Sequence, residues 1–206
     1  MTRMNVNPTR IQLKNLKSRL VVAKRGHKML KDKSDELIKK YTLLVKQNFS
    51  LRKQVEGKLK LVFSNFCFAK SYMSNTETMK HFMLPVKNVS AEFRTSLMMN
   101  ISVPKISVVT KNDVSPPYAI IDSNSLFDKP TRMLYEIMPD ILRLAEVEKN
   151  CQILSFEIEH TKRRVNALEF VMIPQLEETI KYISMKIDEQ ERSSKIRLLK
   201  VKSMIK

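Results

Sequence analysis

Apolar residues recur through the first third of the chain at alternating steps of three and four: Leu13, Leu16, Leu20, Ala23, Leu30, Leu37, Tyr41, Leu44, Leu51, Val55 and Val62. The other positions of that frame hold His27, Ser34, Asn48 and Lys58, so the frame never slips. A heptad held that long predicts one helix with a single apolar seam, and the seam needs a partner helix. The last third offers one. Val165, Leu168, Met172, Leu176, Ile180, Ile183 and Ile187 step by three and four, with an excess of fours. That excess lies closer to an eleven-residue repeat and predicts weaker left-handed supercoiling than in the first helix.

Asn7-Pro8 predicts the start of the first helix, with Asn as N-cap and Pro at the first helical position. No proline follows before Pro85, so the helix is expected to reach roughly Phe66. Residues 71–129 change character, with Pro85, Pro104, Pro116 and Pro117 among Asn, Ser and Thr clusters. Between them, 92–99, 106–110 and 118–122 are β-prone, while Ser102-Val103-Pro104 and residues 113–117 read as turns or edges. The third segment is helical from about Thr131; Pro139 is expected in a first turn, and Pro174 to bend or break the helix.

The predicted fold is mainly α: two long antiparallel helices forming an intramolecular coiled coil, with a small β-hairpin head inserted mid-chain. Its parts are an N-terminal helix (1–68), a head (69–130) and a C-terminal helix (131–206). Intramolecular pairing is favoured over parallel dimers because the linked helices meet at high effective concentration. The implied shape is a rod with both termini at one pole, suited to a mechanical or scaffolding role.

Charge sharpens this picture. The 206 residues carry 38 Lys and Arg against 21 Asp and Glu, a net +17. The first 60 residues contain only Asp32, Asp35, Glu36 and Glu56 as acids, and none follows Arg192. Such a field attracts polyanions or an acidic protein cavity. A basic pole of Arg3, Arg10, Lys14, Lys17, Lys195, Arg197, Lys200 and Lys202 is the candidate partner-binding site.

Catalytic chemistry is not evident. The two glycines, Gly26 and Gly57, are far apart and build no phosphate loop. His27, His81 and His160 form no metal-ligand pair; His27 falls on the seam as a polar register residue. Glu157 and Glu159 lie on different helix faces, a solvated arrangement. Cys67 and Cys151 read as two reduced structural thiols. No catalytic residue, cofactor or metal is assigned. No run is long enough to span a bilayer, and no secretion signal opens the chain, so a cytoplasmic protein is expected.

Two stretches carry a resemblance. The first is Asn7-Pro8-Thr9-Arg10 followed by Arg25-Gly26-His27-Lys28-Met29-Leu30-Lys31-Asp32-Lys33 and Asp35-Glu36-Leu37. The second is Arg163-Arg164-Val165-Asn166-Ala167-Leu168-Glu169, continuing through Ile173-Pro174 and Glu177 to Ile180-Lys181-Tyr182-Ile183. Together they resemble the D-subunit family of the vacuolar/archaeal-type rotary ATPases, which includes members from the V-type ATP synthases of some bacteria. The resemblance implies a central rotor shaft that holds no nucleotide. It would carry torque between ATP hydrolysis or synthesis and proton or sodium movement, as a non-catalytic subunit of the complex.

The implied partners are the catalytic and non-catalytic ring subunits around the terminal helices, the small F subunit, and the funnel-shaped subunit on the membrane rotor ring. The chain would be peripheral to the membrane through that complex. Residues 190–197 thin out the acids usual in the family, and the head matches it only loosely, so neither region receives contact assignments. A basic coiled-coil nucleic-acid-binding or scaffolding protein is the alternative; the aromatics Phe63, Phe66, Phe68 and Tyr72 cluster at one helix end rather than alternating with cations. Glycine within a helix costs about 1 kcal/mol against alanine, so Gly26 predicts either close helix–helix approach or a contact surface for a neighbouring subunit.

Overall fold

The computed structural model describes residues 4–82, 89–110 and 125–205. Arg3, the β-prone run 118–122 and the turn-or-edge segment 113–117 lie outside them. The elements are α1 (Arg10–Lys70), α2 (Asn75–Phe82), β1 (Val89–Met98), β2 (Ile101–Thr110), a 3-10 turn (Ser125–Phe127), α3 (Asp128–Ala167), a π-turn (Leu168–Met172) and α4 (Ile173–Ile205). The fold is mainly α, two long antiparallel helical arms forming a coiled coil, with one antiparallel hairpin between them. Two compact units divide it: Met1–Ile38 with Glu157–Lys206, and Lys39–Phe156.

The N-cap of α1 is Thr9 rather than Asn7. Its side-chain oxygen accepts from the Gln12 amide at 3.3 Å, and its carbonyl accepts from Leu13 N at 3.0 Å. Asn7-Pro8 instead forms the approach, with Thr9 N donating to the Asn7 carbonyl. The short side-chain acceptor at Thr9 satisfies an amide that has no partner inside the helix.

In the first unit, Leu16, Leu176, Ile183 and Ile187 make a buried cluster, with Leu13, Leu20, Ala23 and Ile180 packed around it. Met4 and Val6 close over that cluster, and the Met4 amide donates to Thr179 Oγ1 at 3.3 Å. In the second unit, Val55, Val62 and Ile137 are the buried centre, flanked by Leu59, Met133, Ile141 and Leu144. The remaining α1 seam positions, Leu30, Leu37, Tyr41, Leu44 and Leu51, are buried or half-buried.

Of the two helical prolines singled out by the sequence, one departs from expectation. Pro139 is not in a first turn: α3 starts at Asp128, and Pro139 lies in its interior, while Pro130 occupies the opening turn. Pro174 marks the expected interruption, made by a π-turn between two α-helices. It follows the π-turn, where Ile173 N donates to the Leu168 carbonyl five residues back. A helical proline removes one donor and crowds the carbonyl four residues earlier, here that of Phe170; a widened turn relieves both. The π-turn also holds one extra residue. The excess of four-residue steps around Leu168, Met172 and Leu176 is the trace of that local insertion rather than of a long-range eleven-residue repeat. Met172, expected on the seam, is 46% exposed because the wide turn carries it outward.

The hairpin turn is Met99-Asn100, both at positive φ (53° and 65°), joining Met98 to its register partner Ile101. That geometry matches the right-handed twist of the strands. Ser102-Val103-Pro104 lies in β2, an edge strand of the two-stranded sheet, so of the two readings, turn or edge, the edge holds. Pro104 pairs with Thr95, and two residues on, Ile106 N donates outward to Glu146 Oε2 at 3.0 Å. Alternate residues face the same way, so the missing N–H of Pro104 also points outward and removes no ladder bond.

Candidate partner-binding surfaces

Charge is organised across the paired helices. In the first unit, Arg10 pairs with Glu191, Lys24 with Glu177 at 2.7 Å and Lys33 with Glu157 at 3.8 Å. In the second, Arg52 meets Glu148 at 3.6 Å and Lys58 meets Asp140 at 2.6 Å. In each of these pairs the cation stands on α1 and the carboxylate on α3 or α4. Lys58, a frame position of the seam, instead turns outward to its acid and leaves Leu59 against the core.

This pairing leaves the basic pole with little internal compensation. Arg10 has Glu191, and with Lys195 it lines a cleft of about 580 Å³ walled by Pro8, Ile187 and Leu198. Lys14 and Lys17 on α1, and Arg197, Lys200 and Lys202 on α4, are exposed with no acidic partner among the described residues. Arg10 and Lys195 are thus brought together, whereas Lys200 and Lys202 lie farther along α4.

The end of α4 stands out in the sequence for its cations, but its apolar side chains are equally prominent. Ile196, Leu198, Leu199, Val201, Met204 and Ile205 are 53–81% exposed. At about 100° per residue they leave no arc of the helix wider than about 100° without an apolar side chain. The signal was present in the sequence as apolar residues at every phase, where a packed helix shows one stripe.

The two sequence blocks that carry the resemblance meet in the first unit. His27 Nε2 lies 3.3 Å from Glu169 Oε2, with the His27 side chain 20% exposed. Gly26, Leu168 and Met172 border one apolar groove with Val22, Ala23 and Leu176. Val165 is buried, Pro174 half-buried, and Lys28, Lys31, Arg164, Asn166 and Ala167 are exposed. An alanine Cβ built at Gly26 would meet nothing within 4 Å. The close-approach reading of this glycine is therefore overturned, because no neighbouring helix atom needs the space.

Sequence reasoning left the inner face of α3 unassigned. It presents Ile137, Leu154 and Thr161 at 4%, 0% and 2% exposure. Beside them, Asn48 and Asn150 each hold a buried carbonyl oxygen without a hydrogen-bond partner among the described residues. Cys151 is buried, and burial pushes its thiol above the ordinary 9.0 against a weaker opposing hydrogen bond from Asn48. Cys67 is exposed, and both thiols are free.

Residues 12–203 match the protein family described as the ATP synthase D subunit. The V-type ATP synthase D subunit of Thermoanaerobacter pseudethanolicus is 48% identical over 206 residues, covering 100% of this chain and 99% of that protein. The V-type ATP synthase D subunit of Clostridium botulinum strain Alaska E43 is 46% identical over 209 residues, covering 100% and 98%. That of Streptococcus gordonii is 44% identical over 207 residues, covering 98% and 100%.

Proposed function

The chain belongs to the family of ATP synthase D subunits, and we propose that it is the central stalk of a V-type ATPase, the shaft that carries torque between the nucleotide-processing ring and the ion-translocating membrane rotor. It contributes no catalytic group; its work is mechanical. Its neighbours are the catalytic and non-catalytic ring subunits, the small F subunit and the subunit that seats the stalk on the membrane rotor. It is peripheral to the membrane through that assembly.

The observation that carries this reading is the bare end of α4. A helix that packs against one partner shows one apolar stripe. Residues 196–205 show apolar side chains all round, interleaved with Arg197, Lys200 and Lys202 and with no acid. Such a surface suits an enclosing sleeve. Apolar contact at every azimuth carries no preferred angle, and long-range attraction between cations and an acidic wall centres the tip without locking its orientation. The nucleic-acid reading gives way to family membership.

The test is co-purification. A tagged chain drawn from its own cells after nuclease treatment should bring an ATP-hydrolysing assembly with one copy per three catalytic subunits. Recovery of the chain alone, or of a nuclease-sensitive complex, would refute the proposal.

A further inference from the structure

From the groove beside Gly26 we infer a docking site for a neighbouring ring subunit, one that takes an apolar side chain followed closely by a carboxylate. The inference rests on the stalk reading, which supplies the neighbour, and goes beyond it by fixing the place and the chemistry.

The groove holds about 550 Å³ and lies wholly within the first unit. Val22, Gly26, Leu168, Met172 and Leu176 form its walls, with Arg19 and Ser18 at the margin. Gly26 leaves open space where a side chain would stand. A helical glycine costs about 1 kcal/mol against alanine, and nothing among the described residues uses the gap. Val22 is 68% exposed, and the π-turn adds Phe170, Val171 and Met172 at 65%, 52% and 46%. Of these only Met172 lines the groove; Phe170 and Val171 stand exposed on the same π-turn, and π-turns recur at functional sites.

Charge identifies the occupant. Glu177, next to the groove residue Leu176, is neutralised by Lys24, and Glu169, next to Leu168, is within hydrogen-bond reach of His27 Nε2. Arg19 lines the groove with no acidic partner among the described residues. The groove thus sets an apolar floor beside a guanidinium that no acid of the described residues engages, and its planar fork matches a carboxylate. A second copy is a poor occupant, because two chains of charge +17 repel. An apolar side chain with an Asp or Glu within a few residues, on an acidic loop of the ring, satisfies both halves of the groove.

The assembled complex provides the test. Val22 is replaced by the photo-crosslinker p-benzoylphenylalanine, with the same label at exposed Met185 as the comparison site. Irradiation should join position 22 to a ring subunit, at an apolar residue flanked by a carboxylate. Arg19→Glu should lower that adduct by about fivefold, the scale of reversing one exposed ion pair, and leave the adduct from position 185 unchanged. If the label at Val22 blocks assembly, Ser18 on the same margin carries it. An adduct to another copy of this chain, an adduct insensitive to Arg19→Glu, or none in an intact complex overturns the inference. Failure of the unlabelled chain to join the ring would instead strike the stalk reading itself.

Discussion

Replacing Leu198, Leu199, Met204 and Ile205 together by glutamine separates the two possible uses of the α4 tip. These side chains are 70%, 67%, 75% and 81% exposed, so the covered remainder lies mostly against the helix's own turns. Glutamine keeps nearly the helix propensity of leucine. Each change should therefore cost the isolated chain no more than about 0.5 kcal/mol. The whole set should move its melting temperature by no more than about 4–8 °C, at about 2–4 °C per kcal/mol. In a sleeve the same residues have most of their surface still to bury. Full burial of such a side chain is worth about 1.5–3 kcal/mol, giving an upper limit near 4–9 kcal/mol for about three-quarters of four side chains. Even a quarter of that, about 1–2 kcal/mol, lowers affinity roughly five- to thirtyfold. Ile183→Ala is the contrast: this residue is fully covered inside the chain, and its truncation should cost about 2–5 kcal/mol. Circular-dichroism melting of the isolated chain reads the first quantity. Titration into the ring, and the ratio of ion transport to ATP hydrolysis, read the second. A tail variant that melts as early as Ile183→Ala, or one that binds and couples like wild type, refutes the sleeve argument.

Gly26→Ala and Gly57→Ala should each stabilise the isolated chain by about 1 kcal/mol, because both sites have open space at Cβ; a fall in melting temperature for either would show an unrecognised close contact. Iodoacetamide at pH 8 should label Cys67 and spare Cys151 until denaturant is added, since Cys67 is exposed and burial raises the Cys151 thiol. The unfolded thiol ionises first, so this group's contribution to stability is intact below pH 9 and declines as pH rises through the folded value; Cys151→Ala should flatten that alkaline slope. Deleting Val171 together with Pro174→Ala should convert the π-turn to regular helix and keep stability within about 2 kcal/mol, whereas deleting Lys162 should unfold the first unit by turning the following seam about 100°. Lys24→Glu should destabilise by about 0.5–1 kcal/mol and Glu177→Lys in the same chain should restore most of it, read by thermal melting as a double-mutant cycle.

The long helices were legible because a seam has a period that composition cannot mimic: Leu16, Leu37, Val55 and Val62 are the buried positions the heptad required. The hairpin was legible from its β-prone runs, but its turn was not. Met99-Asn100 lacks the glycine that advertises a two-residue turn, while Pro104, which fits a turn or an edge, takes its place in the edge strand β2. The inner face of α3 was hidden because Asn150, Cys151 and Thr161 interrupt its apolar repeat with small polar groups. Thr161 can be buried because a lone hydroxyl has few hydrogen bonds to satisfy, and no pattern of hydrophobicity reports that. The π-turn was visible only as an irregular period. A single inserted residue and a change of supercoil leave the same mark in a short sequence; the hydrogen bond from Ile173 to Leu168 distinguishes them. Of the basic pole, sequence supplied the cations, but not which acids would engage them.

That allocation of charge links the fold to the proposed work. An exposed ion pair contributes roughly 0–1 kcal/mol, so Lys24–Glu177, Lys33–Glu157, Arg52–Glu148 and Lys58–Asp140 do not hold the helices together by strength. Their value is discrimination. Pairing α1 with α1 of another copy would set lysine and arginine against lysine and arginine along the seam's flanks, and like charges at that distance penalise the wrong pairing. Pairing with the returning helices places their carboxylates where the cations stand. The same arrangement determines what partners meet. Glu191, Glu177, Glu157, Glu148 and Asp140 on the returning helices pair with cations of α1, and after Glu191 no acid follows, so the end of α4 presents cations, apolar groups and Ser203. A chain with the same net charge but acids spread evenly would pair less selectively and would present a tip with local attractions of both signs. Such a tip would favour particular angles inside a sleeve. A field of one sign over a surface apolar at every azimuth does not, and this is the property a turning shaft requires at the end held by its bearing.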